Sequence, residues 1–444
     1  SIEALQGLKA GVFVAYDYSN STNRNFNRSF NLMSFSSSTF ESTQVTASGI
    51  NLLSSFSKSA SWGDSFTVRP TITYEREFGG KHNVSALFLY EQKKGYSDTM
   101  TGRKNGYYAD YPVDLSLGST WEGIDVPVSG SFSDTGIASF AGRISYAYDR
   151  KYLAEFTFRA DGSYKFAPHN RWGFFPSVAL GWVVSEENFF KKALPKVDFL
   201  KLRASYELGA DDTSAWLYMQ SYSTTAPNFS YIVGGTGHTA YYTSNYVYDN
   251  LTWSRTHSFN VGFDLSVWEG KLGVEFDWFY KLTDHILEQV AGSYAPSLGG
   301  NVPSYMNSGK MDNRGFELVL KHNNHFSSGW RYSLTGSLSW ARNKVLAKHI
   351  SDDHPMYRAI LGQPIGSVYG FKATGLFQTE EQIANAPTAP SGEKRLGDLM
   401  YADINGDGKI DSSKDFVKIG RSYTPEMNFS LNMEVAYKNL YLTA

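Results

Sequence analysis

Apolar and polar side chains alternate with a period of two along much of this chain. Between Phe259 and Val267, every odd-numbered residue is apolar and every even-numbered residue is small or polar. Because successive side chains of a β-strand point to opposite faces, this pattern predicts a strand with one apolar and one polar face. The same alternation recurs at 140–148, 272–280, 332–340 and 429–437.

Runs of this kind predict twelve strands and the beginning of a thirteenth near Leu440. The twelve cover 8–17, 66–77, 82–92, 138–148, 152–161, 173–184, 198–208, 257–267, 271–281, 313–322, 330–341 and 427–437. Each run has about the 9 to 11 residues with which a tilted β-strand crosses a bilayer. One such run taken alone is more typical of a half-buried strand in a soluble antiparallel sheet.

The segments between the predicted strands alternate between short and long along the whole chain. Short segments cover 78–81, 149–151, 185–197, 268–270, 323–329 and 438–439. Long segments cover 18–65, 93–137, 162–172, 209–256, 282–312 and 342–426. A meander with short turns at one end and long loops at the other is the layout of outer-membrane barrels, whose long loops are extracellular. Thirteen runs with this alternation therefore favour a membrane barrel over a soluble sheet.

The expected fold class is all-β, a transmembrane antiparallel up-and-down β-barrel in one domain over residues 1–444. Bacterial single-chain barrels close with an even number of strands, so thirteen strands predict that part of the barrel lies outside this sequence. Charged strand residues should face the lumen, because a lipid-facing Lys or Arg at the bilayer midplane costs about 2 to 4 kcal/mol. These residues are Arg143, Glu155, Arg159, Asp161, Asp264, Glu275, Asp277, Lys321 and Glu434. The residues expected to face lipid are Ile144, Phe156, Phe263, Val274, Phe276, Leu318, Leu334, Leu431 and Val435.

Composition narrows the function classes. The chain has no cysteine, which excludes a disulfide framework, a thiolate nucleophile and a Cys-based zinc site. A formal net charge of −2 offers no basic face for phosphates, so no nucleic acid is expected as a partner. The sequence also lacks the G-x-S-x-G, H-E-x-x-H and G-x-x-x-x-G-K-[ST] motifs, and an enzyme is the least expected class.

Aromatic residues interleaved with Ser, Thr, Asn and Gly are concentrated in two long segments, 93–137 and 209–256. Such residues form contact surfaces for sugars, peptides or a partner protein, and they can equally pack among themselves into a compact lid. The candidate contact residues are Tyr107, Tyr108, Trp121, Trp216, Tyr218, Tyr241, Tyr242 and Tyr246.

An acidic motif in the segment 342–426 resembles a calcium-binding loop. Positions 1, 3, 5, 7 and 9 of an EF-hand-like loop are occupied by Asp403, Asn405, Asp407, Lys409 and Asp411, and position 6 by Gly408. Ca²⁺ takes side-chain oxygens at positions 1, 3 and 5 and a backbone carbonyl at position 7. Position 12 is Lys414 instead of Glu, with Asp415 one residue later as a displaced ligand. A structural Ca²⁺ is the expectation, and an Asx-rich turn that binds nothing is the alternative.

Several segments of the second half of the chain follow one another in an ordered series. They include RWGFFPS from Arg171, SEENFF from Ser185, NLTW from Asn250 and NSGKMDNRGFE from Asn307, followed by 362–370 and 397–420. In order and spacing they resemble the SusC/RagA family of TonB-dependent outer-membrane transporters. The resemblance implies a 22-stranded barrel with an N-terminal plug, a TonB-contacting segment and a SusD-like surface lipoprotein as partner. None of the plug, the TonB-contacting segment or the final strands is expected within this sequence.

Three functions remain as hypotheses. The first is an outer-membrane transporter, energised by TonB and working with a SusD-like lipoprotein, that imports oligosaccharides or oligopeptides. The second is an interaction protein anchored in the outer-membrane lipid, whose long loops bind another protein assembly. The third is a passive porin.

Overall fold

The structure, a computed structural model, describes most of the chain. The described residues are 6–28, 32–35, 42–45, 54–107, 114–118, 128–212, 217–220, 222–224, 231–238, 241–243, 247–290, 305–349, 360–389, 393–412 and 414–444. None of the helices in this part of the chain has the length and apolar character needed to cross a membrane.

Thirteen strands form one large sheet in which every strand pairs with its neighbours in sequence. They are β1 (Leu8–Asn27), β2 (Ser55–Phe78), β3 (His82–Asn105), β4 (Val128–Tyr148), β5 (Tyr152–Ser163), β6 (Trp172–Val183), β7 (Val197–Asp211), β8 (Ser254–Val267), β9 (Leu272–Gln289), β10 (Tyr305–His325), β11 (Trp330–Ala347), β12 (Met427–Tyr437) and β13 (Leu440–Thr443). Sheet order and chain order coincide, which confirms the predicted up-and-down meander of thirteen strands.

Most strands extend further at the end of the long connections than the alternation predicts. Strand β2 has 24 residues and β10 has 21, against the predicted 12 and 10. The segments predicted as pure connections at 18–65, 93–137 and 282–312 therefore begin and end as continuing strands. A strand can be recognised in the sequence by its alternation only where one of its faces is apolar. Beyond that stretch the strands still pair through backbone hydrogen bonds, although both faces are polar or aromatic. The predicted boundaries were wrong at this end for that reason.

The chain divides into two compact units. One comprises Ser1–Lys9, Thr73–Phe88 and Ala141–Ala444, and the other comprises Ala10–Ile72 and Leu89–Phe140. All structural features discussed below belong to the first unit, apart from the surroundings of Tyr107, which belong to the second.

The short connections are tight turns that tie neighbouring hairpins together. Asp149 and Arg150 both have positive φ, at 52° and 56°, as a type I′ hairpin turn requires. Next to this turn, the backbone N–H of Asp149 donates to the carbonyl of Lys81 at 2.7 Å. The connection between β6 and β7 contains helix α1 (Asn188–Ala193), and Glu187 before it accepts hydrogen bonds from the Tyr152 hydroxyl at 2.6 Å and the Trp182 indole at 3.2 Å. The SEENFF motif thus has a structural role at this end of the strands.

Cross-strand pairing shows which side chains share a face of the sheet. Asp264 lies opposite both Glu275 and Lys201, whereas Phe263 lies opposite Phe276 and Leu202. The same register and alternation extend from β5 to β12. The Ser145 hydroxyl of β4 donates to Glu155 at 2.7 Å, which assigns Arg143 and Ser145 to the face of Glu155 and Ile144 to the other face. All nine charged residues predicted for the lumen lie on the face of Asp264, called the polar face below. All nine residues predicted to contact lipid lie on the opposite face, called the apolar face.

Large hydrophobic side chains of the apolar face are open to their surroundings. Ile144 is 55% exposed, Leu180 is 56% exposed and Leu320 is 44% exposed, although their strands have partners on both sides. A soluble sheet would cover such a continuous apolar surface with other elements. The exposure fits a sheet whose apolar face is solvated by lipid.

Within the connection predicted as a loop at 342–426, the described residues 360–389, 393–412 and 414–422 form a small folded substructure. Ser367–Phe371 pairs with Phe416–Ser422, and Ala373–Leu376 pairs with Leu399–Tyr401. Helix α2 (Glu380–Ala384) begins with a capping box, in which the Thr379 hydroxyl accepts from the Gln382 N–H at 3.2 Å. The sequence predicted a long connection here without these elements, because the strands are too short for a period-two pattern to stand out.

Candidate functional site

The polar face carries a cavity of about 870 Å³ between neighbouring strands of the first unit. Its walls come from β2 to β9, and small residues such as Ala147, Ser205 and Gly181 leave room between the longer side chains. The charged residues that line it are Glu75, Arg76, Glu77, Glu155, Lys201, Arg203 and Asp277. Both signs of charge are present, so the wall suits a polar or zwitterionic solute or a polar protein segment.

Arg203 holds two carboxylates together in this wall. Its Nη2 atom lies 2.7 Å from Asp277 Oδ2 and 3.0 Å from Asp264 Oδ1. The three side chains meet above Gly262, where an added Cβ would clash with Asp277 Oδ1 and lie 2.5 Å from the Phe276 carbonyl oxygen. Glycine at this position therefore gives the ion pairs the space they occupy.

The prediction of lumen residues omitted Arg203 and Lys201, which the structure places among the charged residues that line the cavity. The signal was available in the sequence, because Leu200 and Leu202 alternate with these two cations and place them on the opposite face. Lys201 lies directly opposite Asp264, and among the described residues its ammonium group makes no ion pair within 4.0 Å.

Two carboxylates on one face of β9, Glu275 and Asp277, have separate cationic partners. Lys321 Nζ lies 2.6 Å from Glu275 Oε1, while Asp277 pairs with Arg203. Each carboxylate therefore already has a cationic partner on this face. The arrangement supports the interpretation of these residues as polar lining.

Hydrophobic residues from two long connections form a small core beside the strand ends. Phe166, Leu251 and Trp253 are at most 7% exposed, and Trp253 packs against Phe166 and Phe175 with ring centroids 5.0 and 5.3 Å away. The adjacent Thr252 exchanges two backbone hydrogen bonds of 2.9 Å with the Asn307 side-chain amide. The NLTW and NSGKMDNRGFE segments thus contact each other and anchor the connections to β9 and β10.

The aromatic residues predicted as ligand or partner contacts differ in their exposure. Tyr241 is 76% exposed and Tyr218 is half-buried. Tyr107 is only 8% exposed and packs edge-on against Phe26 and Phe56, with centroids 6.2 and 5.9 Å away. The side chains that lie outside the described residues are those of Tyr108, Trp121, Trp216, Tyr242 and Tyr246.

Tyr107 is therefore a packing residue in this structure. Its hydroxyl donates to the Leu115 carbonyl at 3.3 Å, and its own carbonyl accepts from the Ser54 hydroxyl at 2.6 Å. Burial raises the pKa of the Tyr107 phenol. At Tyr107 the packing favours the alternative, self-packing of the connection, over a ligand contact.

The acidic loop at 403–411 is closed by its own hydrogen bonds. Both carboxylate oxygens of Asp403 accept backbone N–H groups, from Gly406 and Gly408, at 2.7 Å each. Asp407 Oδ1 accepts from the Lys409 N–H at 3.0 Å, and Asp407 Oδ2 lies 3.0 Å from the Lys414 ammonium. Hydrogen bonds from Asn405 and Lys414 lower the pKa of Asp407.

The two outlying members of the predicted ligand set cap turns. Asp415 is fully buried and accepts from the N–H groups of Ile404 and Asp411 at 2.8 Å. Asp411 accepts from the N–H of Lys414 at 2.8 Å. Ile410 is 4% exposed and packs inward.

Nowhere in the described ranges do three His, Asp or Glu side chains converge as a metal site. The potential donors of the acidic loop are the carboxylates of Asp403 and Asp407, the Asn405 amide oxygen and the Lys409 carbonyl. These are oxygen ligands of the kind that Ca²⁺ prefers. Lys414 competes with any cation for Asp407 in this arrangement.

Comparisons with known proteins agree with the fold. Residues 5–433 match the family model described as TonB dependent receptor-like, β-barrel. The chain is 30% identical over 381 residues to TonB-dependent receptor P26 of Formosa agariphila, which covers 83% of this chain and 37% of that protein. It is 28% identical over 316 residues to TonB-dependent receptor SusC of Bacteroides thetaiotaomicron, which covers 68% of this chain and 30% of that protein.

Among solved structures, the RagAB peptide importer in the open-open state matches with a TM-score of 0.76 and 19% identity. The match covers 99% of this chain and 44% of that chain, and at this identity it shows the fold alone. The chain spans just over a third of the length of the curated relatives P3 and P26, at 37% of each.

Proposed function

This chain belongs to the TonB-dependent receptor-like β-barrel family and is of the SusC/RagA type, and on that premise we propose that the whole protein imports oligosaccharides or oligopeptides. Proteins of this family are integral to the outer membrane. The apolar face of the sheet therefore lies against lipid, and the polar face lines the barrel interior.

The observation that supports import is the charged wall of the polar face. Arg203, Asp264 and Asp277 form an ion-paired centre, and Lys201 adds a cation without an ion pair among the described residues. A wall with paired and unpaired charges of both signs offers binding groups to the charged termini of a peptide and hydrogen bonds to sugar hydroxyls. The name of the solved relative RagAB refers to peptide import by that protein, and sugar remains the alternative substrate for this one.

We further propose that TonB energises the import and that a SusD-like lipoprotein cooperates at the surface. The folded substructure in 342–426 and the exposed Tyr241 offer this lipoprotein contact area at the long-connection end of the strands. The same observation favours the second candidate function, an anchored interaction protein. No catalytic role is proposed.

The test deletes the gene for the full-length protein and measures growth on defined oligopeptides or on defined oligosaccharides as sole nutrient. Loss of growth on one class, restored by the intact gene, would identify the substrate class. Uptake should stop when the proton gradient is collapsed, whereas a passive porin would continue to conduct. Normal growth on both classes, combined with copurification of a large protein assembly, would favour the interaction protein.

We also propose that the acidic loop binds Ca²⁺ weakly as a structural ion. Asp403, Asn405 and Asp407 would hold it through side-chain oxygens, and Lys409 through its carbonyl. Weak affinity follows from Lys414, which occupies the position of the closing Glu and already pairs with Asp407. A bound Ca²⁺ would supply positive charge that holds the substructure in one conformation.

A further inference from the structure

Two arginines face each other on the apolar face of the sheet. Arg314 of β10 and Arg342 of β11 are direct cross-strand partners, so their Cβ atoms are about 4.5 to 5.5 Å apart. Both side chains are exposed. Like charges directly opposite each other destabilise a sheet unless an anion lies between them. This pair therefore requires an explanation from its surroundings.

The neighbouring acids neutralise only one of the two charges. Glu426 Oε1 lies 3.4 Å from Arg342 Nε. Two residues closer to the long connections on each strand, Asp312 lies directly opposite the cation Lys344 and is 6% exposed. Within the described ranges, Arg314 has no ion pair within 4.0 Å, so its guanidinium is a free anion-binding group.

Along the strands, Arg314 and Arg342 lie at one border of the apolar band, the stretch of each strand that crosses the membrane interior. In the row next to Arg314 towards the short turns, Phe316 stacks on Trp340 with centroids 6.2 Å apart. From Arg314, ten residues of β10 lead to Asn324, which is paired with Tyr332 at the other border. Ten residues at about 3.3 Å each, tilted by about 40°, cover about 25 Å, the height of the apolar band of an outer-membrane barrel.

The pair thus lies on the lipid-facing surface, at the side of the long connections, which in such barrels is extracellular. At that level the outer leaflet of an outer membrane presents phosphorylated glycolipid headgroups. Guanidinium groups bind phosphate oxygens through two parallel hydrogen bonds, and two opposed guanidinium groups can share one phosphate. We propose that Arg314 and Arg342 form a binding site for a phosphate group of lipid A in the outer leaflet.

The test uses the full-length protein in detergent and native mass spectrometry of bound lipid. The unaltered protein is offered bisphosphorylated lipid A or the dephosphorylated lipid, and it should retain the phosphorylated form preferentially. Arg314→Gln should lower lipid A binding about tenfold, the lower range for a hydrogen bond to a charged group. Arg342→Gln should have a smaller effect, because Glu426 already pairs with that residue.

Arg143→Gln is the matched control, because it removes the same charge from an exposed arginine of the polar face. It should leave the binding of lipid A unchanged. Arg314→Lys keeps the charge without the bidentate geometry and should bind at an intermediate level, which also covers the case that Arg314→Gln does not fold. Folding of each variant is checked by the heat-dependent shift in its electrophoretic mobility.

Two results would overturn the proposal. One is equal retention of the two lipids by the unaltered protein. The other is equal lipid A binding by the folded Arg314→Gln and Arg143→Gln proteins. If Arg314→Gln instead impairs copurification of a protein partner and leaves lipid A binding unchanged, the arginine pair is a protein contact and the lipid site is refuted.

Discussion

Replacing Arg203 by alanine removes the cation between two carboxylates of the polar face. The side chains of Arg203, Asp264 and Asp277 are 35%, 27% and 25% exposed, so each ion pair is only partly desolvated. Each such pair contributes about 0.2 to 1 kcal/mol. After the substitution the two carboxylates repel each other with about 1 kcal/mol more. The expected loss is about 2 kcal/mol in the free energy of unfolding.

The assay is urea unfolding of the full-length protein in lipid vesicles, followed by tryptophan fluorescence. Lys321→Ala is the control, because it breaks a single ion pair whose side chains are both 46% exposed, and it should cost about 0.5 kcal/mol. In Arg203→Ala/Asp277→Asn the repulsion is absent, so about half of the loss should be recovered. The difference between Arg203→Ala and the unaltered protein should shrink in 1 M salt, where charges about 3 Å or more apart are screened.

The reasoning is refuted if Arg203→Ala and Lys321→Ala cost the same, because the shared carboxylates would then contribute nothing. It also fails if Asp277→Asn in the Arg203→Ala background destabilises further. Either result would mean that Arg203 acts through packing of its aliphatic stem.

Three further predictions concern other parts of the first unit. Trp253→Ala should cost about 3 to 5 kcal/mol locally, because a buried Trp leaves a large cavity, and limited proteolysis should then cut the connections near it faster than in Tyr241→Ala. Lys414→Glu restores the closing ligand of an EF-hand-like loop and removes the ammonium group that competes for Asp407. Isothermal titration should therefore show tighter Ca²⁺ binding by this variant than by the unaltered protein. If neither protein gives heat at millimolar Ca²⁺, the loop is a turn that binds no metal. A water-soluble thiol reagent should label Asp264→Cys and not Phe263→Cys in the membrane-embedded protein, and the reverse result would invert the two faces.

The alternation of apolar and polar residues was sufficient to predict the number of strands, their order and their faces. Successive side chains of a strand point to opposite faces by geometry alone. In a membrane barrel one face contacts lipid and takes apolar residues, and the other faces the aqueous lumen and takes polar residues. For this reason Asp264 and Phe263 could be assigned without any knowledge of their neighbours. The strand ends could not be predicted, because beyond the membrane both faces are wet and the period-two signal disappears while the ladder continues.

Which residues meet across strands was decided by the register, which depends on the tertiary structure. The sequence places Arg203 and Asp277 on one face but contains no information that one guanidinium reaches two carboxylates above Gly262. Tyr107 appears in the sequence as one of many loop aromatics, and only packing against Phe26 and Phe56 makes it a buried residue. The opposition of Arg314 and Arg342 has the same origin, since a shift of one residue in the pairing of two strands would separate the two charges.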